Sequence, residues 1–208
     1  GVQSTVVGGL SNLATSANAF IGGGSMNAVH GLSAATVGGK SNIGSGRFSF
    51  IGAGWLNKTT QDYTVVTGGR CNTASALSAF AGGGSRNTAS GAGSVVGGGQ
   101  QNNASGACSV ITGGCGNSVT GCHGTVGGGI NNSSSGGDTT IAGGCNNAAG
   151  AANSTVGGGC CNNSCAQSTT VAGGEDNAAV GCQSTVAGGY QNSACQAWAT
   201  ASGGGGNV

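Results

Sequence analysis

A catalytic or metal site in this 208-residue chain would have to be built from ten cysteines, two histidines and four carboxylates. The cysteines are Cys71, Cys108, Cys115, Cys122, Cys145, Cys160, Cys161, Cys165, Cys182 and Cys195. Cys145 and Cys160 lie 15 residues apart. If the chain stacks with that period, their Cα atoms sit ~4.8 Å apart, inside the range a disulfide bridges. Cys108 and Cys122 miss that register by one position, so both pairs are disulfide candidates. Staples of this kind suit an oxidising, extracellular setting. The plainer reading of the same residues is Cys as a small filler in tolerant corners. The run Cys160-Cys161-Cys165 lacks CxxC spacing and a partnering His, so no metal is expected. His30 and His123 are about six repeats apart, and Asp62 and Asp138 about five, so neither makes an acid–base pair. Gly97-Gly98-Gly99 resembles a phosphate loop only superficially, because no helix and no GK[ST] follows. No catalytic residue and no cofactor is expected, and the chain does not read as an enzyme.

The elements that position these residues come from a repeat. Asparagine stands at Asn12, Asn27, Asn42, Asn57, Asn72, Asn87, Asn102, Asn117, Asn132, Asn147, Asn162, Asn177, Asn192 and Asn207, every 15 residues without a miss. Three residues before each is a glycine, from Gly9 to Gly204. The rows read roughly x-A-S-G-x-x-S-T-V-x-G-G-x-x-N. Two short β-like runs, x-A-S and S-T-V, are each closed by a glycine break, and strands of about 3–5 residues between such breaks are the strand signal. This much glycine excludes helix. The expected fold is all-β: a parallel β-solenoid, or β-roll, of fourteen 15-residue coils over residues 1–208. At ~4.8 Å per coil it would be a rod on the order of 65 Å long. Gly1 enters in mid-repeat and Val208 leaves just after an Asn, so the chain reads as a segment of a longer fibrous protein.

Strand alternation sets inside against outside. One column runs Val6, Ile21, Thr36, Ile51, Val66 and on to Ala201; its neighbour runs Thr5, Phe20, Ala35, Phe50, Val65, Phe80, Val95, Val110 and then Thr125 to Thr200. Val/Ile inside, opposite Ala74, Ala89 and Ala104, is the favoured parity; the reverse would bury the Phe. Either way an apolar stripe faces outward, and such a stripe marks an interface. Phe20, Phe50, Val65, Phe80, Val95 and Val110 are therefore the expected oligomer contact, with Phe in alternate coils as knobs and Ala or Val as gaps. The Asn column reads as an internal amide ladder. Eight of the nine charged residues fall in corner columns, with Trp55 and Tyr63 among the corner aromatics. Sequons occur at Asn57, Asn103, Asn131, Asn132, Asn153 and Asn162, of which the ladder members should be inaccessible.

Composition excludes several classes. There are 49 Gly and no Pro, without a Gly-X-Y triplet, so collagen is out. Low charge with many β-branched residues argues against disorder. A net charge of +1 gives no field for nucleic acid. No apolar run approaches the ~20 residues of a membrane helix, so no membrane insertion is expected.

The blocks Ala104-Ser105-Gly106…Ser109-Val110-Ile111 and Ala89-Ser90-Gly91…Ser94-Val95-Val96-Gly97 resemble the head repeats of YadA-like trimeric autotransporter adhesins. The resemblance spans the chain, with a 15-residue period slightly longer than those heads use and an unusual number of Cys. It implies a left-handed β-roll, three chains packed about a threefold axis, and an extracellular or cell-surface location. The expected function is a non-enzymatic structural or adhesive segment of a fibre or appendage. Its partners would be further copies in a trimer or filament, with an extracellular matrix or surface ligand. The alternatives are ice binding through the Thr125–Thr200 column, or a carbohydrate- or receptor-binding tip using corner aromatics.

Overall fold

Each row of the sequence forms one coil, and within each of the chain's two units the strands pair in parallel with those 15 residues on. Thr73 and Ala74 pair with Thr88 and Ala89; Phe80 and Ala81 pair with Val95 and Val96. The structure, a computed structural model, describes all 208 residues and is an all-β parallel solenoid without helix. The chain divides into two units, Gly1–Ala104 and Ser105–Val208. The first holds seven S-T-V strands, beginning with Thr5–Val6, and seven A-S strands, ending with Asn103–Ala104. The second holds seven S-T-V strands, Val110–Ile111 to Thr200–Ala201, and six A-S strands, Ser118–Val119 to Ser193–Ala194.

The strands are two residues long, shorter than the three to five the sequence suggested. The deficit is made up by a third contact per coil. The position after Gly-Gly, read from sequence as a corner, forms a ladder of single-residue parallel bridges: Lys40↔Trp55↔Arg70↔Ser85 in the first unit, Cys145↔Cys160↔Glu175↔Tyr190 in the second. A one-residue bridge has no alternation, so periodicity cannot reveal it.

Besides the glycine three before each Asn, two corners per coil are left-handed. Phe48 (φ 55°), Tyr63 (57°) and Trp198 (59°) occupy one of them, Leu56 (57°) and Arg86 (58°) the other. Bulky residues rarely take this conformation, which costs of order 1–3 kcal/mol and persists only where neighbours over-determine it. Here a backbone hydrogen bond does so. Strand N–H groups donate forward to the next coil, whereas each corner N–H donates back: Tyr63 N to Arg47 O at 2.9 Å, Arg86 N to Arg70 O at 2.9 Å.

The interior is thin and filled by the Val/Ile column. Ile21, Ile51, Val66, Val96, Ile111, Val126, Ile141, Val156, Val171 and Val186 are completely buried, as are Ala74, Ala89, Ala149 and Ala179 of the facing sheet. The residue before each outward Thr or Phe also points in and is usually Ser or Thr. Its hydroxyl pairs where the facing strand offers another: Thr59 with Ser49 at 3.1 Å, Ser164 with Thr169 at 2.7 Å. Where the facing residues are Ala, as for Ser94 (Ala89, Ala104) and Ser184 (Ala179, Ala194), the Oγ makes no hydrogen bond. These serines keep an uncompensated cost of burial.

Candidate functional site

The fourteen asparagines form two amide ladders, Asn12 to Asn102 in the first unit and Asn117 to Asn207 in the second, buried except for half-buried Asn12 and exposed Asn207. Within each ladder the Oδ1 accepts from the backbone N–H of the next Asn: Asn42 N to Asn27 Oδ1 at 3.0 Å, Asn72 N to Asn57 Oδ1 at 3.0 Å, Asn147 N to Asn132 Oδ1 at 3.0 Å, Asn177 N to Asn162 Oδ1 at 3.0 Å. Each Nδ2 donates twice. Asn57 Nδ2 reaches Ala53 O at 3.0 Å within its own coil and Gly69 O at 2.9 Å in the next. Asn147 Nδ2 does the same with Gly143 O and Gly159 O, both at 2.9 Å. One side chain therefore satisfies backbone groups of two coils in a region closed to water.

The glycine three residues earlier belongs to the same device. Gly54 has φ +108°, and a Cβ there would lie 2.1 Å from Gly69 O and 2.6 Å from Asn57 Nδ2. That glycine thus leaves room for both the donor amide and the carbonyl it binds. The sequence shows that both columns never vary; the close approach explains why they travel together.

The outer face of the S-T-V sheet differs between the units. In the first, Phe20, Ala35, Phe50, Val65, Phe80 and Val95 stand in register, with Phe20 38% and Phe50 37% exposed. The rings do not project as free knobs. Each lies across the strand over a glycine two residues on: a Cβ on Gly22, Gly52 or Gly82 would sit 3.5, 3.6 or 3.3 Å from Cε1 of Phe20, Phe50 or Phe80. The gap that receives each ring is in its own chain. The stripe is therefore smoother than the sequence pattern suggests. In the second unit Val110 is followed by Thr125, Thr140, Thr155, Thr170, Thr185 and Thr200, stacked rung on rung.

The corners bring together residues that the sequence left scattered. Arg47 Nε donates to Asp62 Oδ2 at 2.8 Å and Arg47 N to Asp62 Oδ1 at 2.9 Å. These bonds hold the Asp62 carboxyl below the usual carboxylate range. Beside them Phe48 and Tyr63 stack with centroids 5.4 Å apart. Trp55 lies at a different corner beneath the Arg70 guanidinium, 5.3 Å from the ring centroid. His123 Nδ1 is 3.2 Å from Asp138 Oδ1, both well exposed. Of the sequons, Asn57, Asn132 and Asn162 are buried in the ladder, while Asn131 and Asn153 are exposed at left-handed corners.

All ten cysteines are free thiols. The bridge between Cys145 and Cys160 nonetheless places their sulfurs 2.6 Å apart, and Cys160 Sγ is 3.4 Å from Cys161 Sγ. Hydrogen bonding to the Cys145 thiol, then to that of Cys161, pushes the Cys160 thiol up to about 12. Burial pushes Cys165 up as well. Cys108 and Cys122 are exposed and offset by one position in the stack: Cys122 follows Ala107, and His123 takes the position that matches Cys108. With a disulfide reagent such as oxidised glutathione, Cys145 and Cys160 should each lose a thiol hydrogen and join, releasing two equivalents of reduced glutathione. The closed loop should add about 3 kcal/mol of stability. Peptide mapping without reduction reads the bond directly; two free thiols after exposure to oxidant would disprove it.

No group of three or more His, Cys, Asp or Glu is placed to hold a metal ion. A depression of about 340 Å³ beside Ser193, Cys195, Thr200 and Asn207 is lined by no His, Asp or Glu. No family model matches the chain, and no curated protein matches it.

Proposed function

We propose that this chain is a non-enzymatic structural segment of an extracellular fibre or surface appendage, akin to the head repeats of YadA-like adhesins, and that it works by packing against further copies of itself as a trimer or filament. The observation that carries this reading is the in-register apolar stripe Phe20–Ala35–Phe50–Val65–Phe80–Val95 on an outer sheet face. A repeat backbone whose polar groups are bonded internally makes a stiff scaffold. An outward stripe of this kind is what a monomer would be selected against keeping. The Cys145–Cys160 juxtaposition supports an oxidising location.

Each Phe transferred from water to an interface contributes roughly 1.5–3 kcal/mol. Phe50→Ser should therefore weaken self-association by about tenfold or more while each chain keeps its β-signal, since the ring rests outside the core. Sedimentation equilibrium with circular dichroism checks this. Unfolding of the variant, or association equal to wild type, would refute the assignment.

A second reading is favoured by the second unit alone. Its threonines present one hydroxyl per rung at ~4.8 Å, with Gly127, Ala142, Gly157, Ala172 and Ala187 two residues on, a flat and small-residue surface that suits ice. Thermal hysteresis of the isolated chain separates this from the assembly reading.

A further inference from the structure

The nine charged side chains are not spread along the chain. All five cations, Lys40, Arg47, Lys58, Arg70 and Arg86, belong to the first unit, together with one carboxylate, Asp62. The second unit holds Asp138, Glu175 and Asp176 and no Lys or Arg. Five cations against one carboxylate leave the first unit at +4, and three carboxylates leave the second at −3, which together give the chain's +1. A net charge near neutrality thus conceals two strongly and oppositely charged halves.

The partition is sharper still by position. Arg47 is neutralised by Asp62, and Asp138 lies against His123. The residues without an ionic partner fall largely on one edge of the coil, the single-residue bridge ladder and the left-handed corner next to it. Lys40 and Arg70 are bridge residues and Arg86 is a corner residue in the first unit; Glu175 is a bridge residue and Asp176 a corner residue in the second. All five are exposed. The same edge also carries exposed Trp55 and Leu56 in the first unit and Ile130 and Tyr190 in the second. Cations and carboxylates therefore occupy equivalent columns in the two units, with Trp55 between Lys40 and Arg70 in one ladder and Tyr190 next to Glu175 in the other.

We propose that the bridge-ladder edge is a contact surface for a second copy of this chain, in which the basic edge of the first unit docks on the acidic edge of the second unit of its partner. Like-to-like contacts, basic edge on basic edge, are repelled, so the charges fix which unit meets which. If the contact is reciprocal, residue for residue, it closes a dimer; if it is not, each copy leaves one basic and one acidic edge open and the assembly extends. Trp55, with Arg70 stacked on it, supplies the desolvated centre that a purely charged contact would lack. The inference deepens the assembly reading above and rests on it, but it uses a different face from the Phe stripe.

The test is self-association of the intact chain by sedimentation, with salt and charge reversal as the variables. Raising salt from about 0.01 M to 1 M shortens the screening length from about 30 Å to 3 Å, and wild-type association should fall by roughly tenfold or more. A basic-edge variant, Lys40→Glu with Arg70→Glu and Arg86→Glu, should associate at least about tenfold more weakly than wild type at low salt, as should an acidic-edge variant, Glu175→Lys with Asp176→Lys. Mixing the two variants should restore association, because the unchanged basic edge of one meets the unchanged acidic edge of the other. Circular dichroism verifies that each variant is folded, and the salt titration needs no variant at all. Association that ignores salt and survives both reversals would overturn the charged contact and leave assembly through the Phe stripe standing. A wild-type chain that stays monomeric at every salt concentration would overturn both.

Discussion

Gly144→Ala should be among the most damaging single-methyl changes in this protein, and Gly143→Ala, one residue earlier, should be almost silent. At Gly144 φ is +90°, and an added Cβ would lie 2.1 Å from Gly159 O and 2.7 Å from Asn147 Nδ2. The nearer obstacle is backbone of the next coil, so no rotamer change relieves it. The second contact disturbs the amide that holds two coils together. The expected loss exceeds about 4 kcal/mol, combining a strained conformation with a broken ladder bond. In a chain of this size that lowers the melting midpoint by about 10 °C or more. A Cβ at Gly143 meets nothing within 4 Å, and the equivalent position fourteen repeats' pattern already tolerates Ala, at Ala53. Thermal melts followed by circular dichroism compare the two. Midpoints that agree within a degree or two would mean that the coils separate readily enough to admit a methyl, and that the glycine column has another cause.

Asn147→Ala should cost nearly as much. The substitution removes the Nδ2 bonds to Gly143 O and Gly159 O and the Oδ1 that accepts from Asn162 N. Three backbone groups lose their partner in a place where Asn147 is 1% exposed. At about 1–3 kcal/mol for each unsatisfied group, the total is on the order of 3–9 kcal/mol. Asn163→Ala is the control, because Asn163 is exposed on the outer side of its strand. Asn147→Asp is also informative: a carboxylate has no donor for the two carbonyls, so it should not rescue the loss at neutral pH. Equal melting of Asn147→Ala and Asn163→Ala would show that water replaces the amide and that the ladder does not hold the coils. The two columns should also couple. Since Gly144 and Asn147 serve the same bonds, the double variant should lose less than the two single losses added together.

Much of the architecture follows from the sequence because its causes are local and repeat in every coil. The unbroken 15-residue Asn and Gly columns define the coil, and period-two alternation puts Val66 and Ile141 inside and Val65 and Thr140 outside. A chain in which each residue meets its equivalent one row later leaves few other ways to bury these side chains. Tertiary structure decided what a single row does not encode. The bridge ladder through Lys40, Trp55, Cys145 and Cys160 is one residue wide, so it has no periodicity to read. The left-handed corners accept Phe48 as readily as Asn153, because a hydrogen bond to the preceding coil, not the residue type, holds them. Phe50 lies over Gly52 and Phe48 stacks on Tyr63 through side-chain directions that only the packed coils establish. The same holds for the thiols. Spacing singles out Cys145 with Cys160 and nearly admits Cys108 with Cys122, but a disulfide needs side chains that converge, and it is the packed coils that bring the Cys145 and Cys160 sulfurs to 2.6 Å.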